Sequence, residues 1–175
     1  FELNGLWHSW KHHSVFSDLK KEEVLLKINQ SQSAAHHFLS STNLLIITLG
    51  TSYQYQLKQN NHPVANCHKA PSFFFRKKLL SIEEIIFSLL ELLKQLKIFN
   101  PQVKIILTVS PVKHVKDGVI ENNRSKSRLI EAVHTLIKKN ENCFYFPSYE
   151  LVTDVLRDYR FYKSDLVHPN DIAIR

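Results

Sequence analysis

Asp165 and His168 stand three positions apart in Asp165-Leu-Val-His168-Pro169. That spacing lets a carboxylate reach the Nδ1 proton of the imidazole within one turn of chain. The bond fixes the tautomer and leaves Nε2 as a base able to take a proton from a hydroxyl nucleophile. Proline is favoured at the first position of a helix, so Pro169 predicts that His168 is held at a helix entrance. The same spacing also suits a surface aspartate beside a capping histidine, and the surrounding elements must decide between the two.

Other side chains with chemical potential are scattered. Ser52, Cys67 and Ser110 fall in predicted loops, and none stands in a Gly-x-Ser-x-Gly elbow. Cys67 adjoins His68, but neighbours in sequence often point apart, and a neutral loop thiol is a poor nucleophile. His8 and His12 are four apart, as in a helical metal site, yet helix is a poor reading of that stretch and no nearby carboxylate or thiolate completes a zinc sphere. No metal and no cofactor are expected.

Three short apolar runs must position these groups: Leu44–Leu49, Val103–Val109 and Cys143–Phe146. Each reads as a strand, the first two as strands buried on both faces. Between and around them lie amphipathic helical patterns over Lys20–Leu39, from Ser81 to about Phe99, over Arg124–Lys139 and from about Ser148 to Asp158. Ser81-Ile-Glu-Glu84 is a capping box, and Asn100-Pro101 ends the helix that it opens. Thr51–Lys78 reads as a long irregular connection of the kind that is often functional.

Alternation of strand and helix predicts an α/β fold with a parallel sheet and helices on both faces. Ligands in such folds bind beyond the carboxyl ends of the strands. The loops beginning at Gly50, Ser110 and Pro147, with Asp165–Pro169 as a fourth contributor, are therefore the predicted site. Gly50 reads as a backbone position needing close approach or positive φ, and Gly118 as a turn.

Composition agrees with one compact domain over residues 1–175, with 43% hydrophobic and 22% charged residues. No apolar run is long enough to span a membrane. Lys and Arg exceed Asp and Glu by 23 to 16, a formal charge of +7, but the excess is not clustered and no aromatic-interleaved basic motif occurs, which argues against nucleic acid. Cys67 and Cys143 are the only cysteines and form no CxxC, a usage that fits a reducing compartment such as the cytoplasm better than an oxidising one. Phe1 at the start and the absence of any Met suggest a processed or excised piece.

The order of the pieces resembles the SGNH or GDSL-type hydrolases, and more narrowly the GSCFA family. The resembling stretches are Trp7-His-Ser-Trp-Lys-His-His13, Ile46-Ile-Thr-Leu-Gly-Thr-Ser52, Val64-Ala-Asn-Cys-His-Lys69, Leu107-Thr-Val-Ser-Pro-Val112, Asp158-Tyr-Arg-Phe-Tyr162 and Asp165-Leu-Val-His-Pro169. The resemblance implies a three-layer, flavodoxin-like sandwich around a mostly parallel sheet, and an activity on an ester or acyl group, including that of a carbohydrate or other small molecule. It implies that Asp165 and His168 are two members of a Ser, His, Asp arrangement. The Gly-Ser-Cys-Phe-Ala string that carries the serine in the family is absent, so the expected nucleophile and its strand lie outside this chain. Where the superfamily has Gly-x-Asn-Asp, Gly50-Thr-Ser52 stands here. Gly50, Ser52, Asn66 and His68 are the candidates for holding an oxyanion or substrate. The alternative is a non-catalytic glycan- or nucleic-acid-binding module, with its cleft among Trp7, Trp10, Tyr53 and the histidines.

Overall fold

The computed structural model describes residues 1–175. In chain order the elements are β1 (Glu2–Leu3), β2 (Leu6–Trp7), α1 (Lys21–Ser41), β3 (Leu44–Leu49), β4 (Tyr53–Leu57), β5 (Pro63–Val64) and β6 (Phe75–Leu79), followed by α2 (Ile82–Phe99), β7 (Lys104–Val109), α3 (Val119–Ile137), β8 (Cys143–Phe146), α4 (Ser148–Glu150) and α5 (Asp171–Ile174). α4 runs on into a π-helix, Leu151–Leu156. No helix is long and apolar enough to cross a membrane. The chain is α/β and divides into two compact units, Phe1–Ser41 with Tyr53–Leu79, and Thr42–Ser52 with Leu80–Arg175.

The second unit carries a parallel sheet in the order β3-β7-β8. Leu44 to Leu49 pair with Lys104 to Val109 in register, and Ile105 to Thr108 pair with Cys143 to Phe146. Parallel neighbours require crossovers, which α2 and α3 supply. Successive side chains on a strand point to opposite faces, so Ile105, Leu107 and Val109 share a face with Leu45, Ile47 and Leu49. Packed on that face are Ile85, Leu89, Leu93 and Leu96 of α2 and Leu129, Ala132, Val133 and Leu136 of α3.

The expectation of strands buried on both faces fails for β3, whose burial alternates. Ile46 is 60% exposed and Leu44 50%, with Phe144 and Phe146 of β8 in a similar state. A continuous apolar run cannot tell a two-sided strand from a one-sided strand whose outer face also carries apolar residues.

Thr51–Lys78, expected to be irregular, carries three strands, and from Tyr53 onward it belongs to the first unit. β4 pairs antiparallel with β5 and β6, in the order β5-β4-β6. The alternation in Tyr53-Gln-Tyr-Gln-Leu57 is the strand period, and Lys77, opposite Tyr55, lies over the Tyr53 ring at 4.3 Å. Such cross-strand cation and aromatic pairs stabilise a sheet without any apolar run to announce it. In the same unit Phe1, His8, Trp10 and His68 form a ring cluster, with Phe75 edge-on to Trp10 at 5.6 Å.

The capping box at α2 forms as the sequence predicts: Ser81 Oγ accepts the Glu84 N–H at 3.2 Å, and the Glu84 carboxylate accepts the Ser81 N–H at 2.9 Å. Ser81→Ala should lower the stability of the second unit by about 1 kcal/mol in urea unfolding, the usual cost of an N-cap serine. An unchanged midpoint would mean that the cap adds nothing to α2.

Candidate active site

β3, β7 and β8 all end at one edge of the parallel sheet, and the loops after them supply the site. The principal carbonyl groups there are tied together from α3. The Lys126 ammonium donates to Gly50 O at 2.6 Å and to Ser110 O at 2.7 Å, joining the carboxyl ends of β3 and β7. Lys126 is 1% exposed, and burial pushes its amino group down to about 8. One position earlier, Ser125 Oγ accepts the Ser52 N–H at 2.8 Å and lies 3.0 Å from Thr51 Oγ1. Asn122 Oδ1 accepts the His114 N–H at 2.8 Å.

Asp165 and His168 lie at the same edge. Asp165 Oδ1 accepts the backbone N–H groups of Val167 at 2.8 Å and His168 at 3.0 Å, while Oδ2 meets His168 Nδ1 at 2.7 Å. The turn that permits this places Leu166 at φ 57, a left-handed conformation that a leucine adopts only at some cost. The amides of His168 and Val167, and then the imidazole, hold the Asp165 carboxyl down at about 2. It is therefore ionised throughout the neutral range.

The Lys113 N–H bonds Val167 O at 3.2 Å, so the turn is stitched to the loop that follows β7. His168 O accepts the Lys163 N–H at 2.8 Å, and Pro169 pairs with Tyr162 in an antiparallel bridge. The His168 side chain is 53% exposed, and its Nε2 faces no hydrogen-bond partner. Pro169 is not the first residue of a helix. Asn170 is the N-cap of α5, its Oδ1 accepting from Ile172 and Ala173, so the helix starts two residues later than the Pro169 reading predicts.

The remaining predicted residues divide between the two units. Gly50 contributes its carbonyl to Lys126 but does not require glycine. Its φ is not left-handed, and an added Cβ would meet only His114 Nε2 at an ordinary 3.6 Å. Gly118 does turn the chain, at φ 89 ahead of α3. Ser52 is 1% exposed, and its hydroxyl lies 3.1 Å from both Ser125 O and Ser125 Oγ. That hydroxyl is thus spent inside the unit.

Asn66 and His68 belong to the first unit. Asn66 Oδ1 accepts the His68 N–H, and its amide donates to Ser14 Oγ. His68 is buried with Nε2 at 2.8 Å from Ser9 O, and burial leads the effects that lower its pKa. Burial likewise raises the Cys67 thiol, which disfavours the reactive thiolate. His8 and His12 bond Ser17 and Ser9, and no cluster of three metal-ligating side chains occurs.

The polar residues of α3 are the part that sequence reasoning missed. Asn122, Ser125 and Lys126 continue the stripe of Leu129, Ala132, Val133 and Leu136 at i, i+3 and i+4 spacing. A search for apolar periodicity starts the helix at Arg124, too late, because the first buried positions are polar.

The profile of the GSCFA family matches residues 1–175. No curated protein matches the chain.

Replacing Lys126 by Met would leave the Gly50 and Ser110 carbonyls without their donor, and should cost about 2 kcal/mol or more at neutral pH. The sign of the pH dependence follows from the lowered pKa. Between about 8 and the ordinary 10.5 the unfolded chain keeps a proton that the folded chain has lost, so stability from this group rises with pH in that window. Paired urea unfolding at pH 7.5 and pH 10 should therefore find the deficit of Lys126→Met growing with pH, and a constant deficit would contradict the assignment.

Proposed function

We propose that this chain, which belongs to the GSCFA family, is an SGNH-like hydrolase acting on an ester or acyl group of a small molecule or carbohydrate. The observation that carries the reading is the Asp165 carboxylate at 2.7 Å from His168 Nδ1, with Nε2 of a half-exposed ring left available at the carboxyl edge of a parallel sheet. A base must first be in reach and correctly protonated. Here the carboxylate selects the Nδ1–H tautomer, and its own two backbone donors stop it from swinging away.

The mechanism that follows is acyl transfer. A serine attacks the carbonyl carbon as His168 Nε2 takes its proton. The imidazolium, stabilised by Asp165, then returns the proton to the leaving alkoxide, and water repeats the cycle on the acyl-serine. The Gly-Ser-Cys-Phe-Ala string of the family does not occur in the sequence, so the serine of this reading lies outside residues 1–175. Ser52 serves by ordering the Gly50–Ser52 turn through Ser125. In a three-layer SGNH-like fold, the half-exposed apolar face of Leu44, Ile46, Phe144 and Phe146 is the face that a second helical layer covers.

One observation favours a second reading, a glycan-binding module. In the first unit Trp7, Trp10, His8, His12, Lys11 and Lys21 line a cavity of about 420 Å³, and aromatic faces with polar rims suit a sugar ring.

Asp165→Asn, in a form of the protein that carries the serine, should lower kcat/KM by about 10²–10⁴ with little change in fold, because an amide in place of the carboxylate favours the wrong imidazole tautomer. An unchanged rate in Asp165→Asn would remove the orienting role. Saturable glycan binding without turnover on a broad acyl panel would favour the second reading.

A further inference from the structure

A cavity of about 180 Å³ beside the Asp165–His168 turn is lined in part by Lys113, Arg157, Asp158, Tyr159 and Tyr162. Two of these walls touch the turn directly. Lys113 donates its backbone N–H to Val167 O, and Tyr162 is the bridge partner of Pro169.

The charge in the cavity is unbalanced. Lys113 Nζ sits 3.9 Å from the Tyr162 ring centroid and 4.8 Å from that of Tyr159, a position that orients the ammonium without neutralising it. The Arg157 guanidinium makes no ion pair or hydrogen bond. Asp158 is already engaged, its Oδ1 accepting the Arg160 N–H at 2.8 Å and its Oδ2 pairing with the Arg160 guanidinium at 2.9 Å. Lys113, its ammonium fixed over the two rings, and the unpaired, exposed Arg157 thus line a space large enough for a compact anion.

Arg157 is held there at a conformational cost. The π-helix ends on it, its N–H bonding Val152 O at 3.2 Å across five residues, and its φ is 49. Glycine is the usual residue at such a left-handed helix end. Strain of this kind in a non-glycine residue points from geometry to function, and π-turns themselves gather at functional sites.

The geometry points to an oxyanion subsite: Lys113 and Arg157, framed by Tyr159 and Tyr162, hold a compact oxyanion carried by the substrate, so that the ester beside it reaches His168. The inference rests on the hydrolase reading for the word substrate, and it makes the preferred ester an anionic one. Guanidinium and ammonium together are the usual partners of a carboxylate or phosphate group.

The test is a set of NMR titrations of the 175-residue chain with monomethyl succinate, methyl butyrate and inorganic phosphate, followed at the amides of Lys113 and Val167. Monomethyl succinate should bind saturably and methyl butyrate should not. Arg157→Gly should weaken the binding at least tenfold without lowering Tm, since glycine relieves the left-handed φ. Lys113→Met should weaken it similarly.

Equal binding of methyl butyrate, or binding of monomethyl succinate that both variants retain, would overturn the subsite. So would phosphate binding that is insensitive to both substitutions. Binding is read without turnover, so the two claims separate. Saturable binding with no hydrolysis by a serine-bearing form would remove the hydrolase reading alone, whereas hydrolysis of both esters with equal kcat/KM would remove the subsite alone.

Discussion

The carboxyl edge of the parallel sheet depends on one buried cation. Strand ends expose carbonyl groups whose ladder partners have run out, and a buried carbonyl must find a donor. At Gly50 and Ser110 that donor is the Lys126 ammonium. With the ends of β3 and β7 joined, the Ser110–Lys113 loop leaves the sheet in a set direction. The Lys113 amide can then take Val167 O and fix the turn that holds Asp165 and His168. Burying the lysine has a cost, visible in its lowered pKa, and the two carbonyls together with the packing of α3 offset it.

α3 therefore does two jobs along one stripe. Its second half packs Leu129, Ala132, Val133 and Leu136 against the sheet, and its first half turns the same face polar just where the strands end. Core and site meet without a gap because a helix crossing over a parallel sheet delivers its N-terminal residues beside the carboxyl ends of the strands. Ser125 and Asn122 use the same geometry on the Thr51–Ser52 turn and on His114.

Much of this is legible in the sequence wherever one physical signal dominates. The three parallel strands announce themselves as apolar runs, and α2 by its capping box. The Asp-x-x-His spacing points to the hydrogen bond at Asp165, though not to its two backbone amides, which depend on Leu166 entering the left-handed region. Signals fail where pattern and environment part company. β4 and β6 hold together through Tyr and Lys pairs rather than apolar alternation, and the start of α3 is buried yet polar. Ser52 is legible as a residue at the sheet edge, but nothing local in the sequence tells that Ser125, 73 positions away, takes up its hydroxyl.

The chemistry proposed for this edge requires the Asp165 carboxylate to set the proton on His168. The direct measurement is the ¹⁵N NMR spectrum of the ring nitrogens of His168 at a pH where the imidazole is neutral. A protonated Nδ1 and an unprotonated Nε2 are expected in the parent chain, with the preference lost in Asp165→Asn. A neutral ring protonated at Nε2, or a tautomer ratio that is the same in both proteins, would contradict that role.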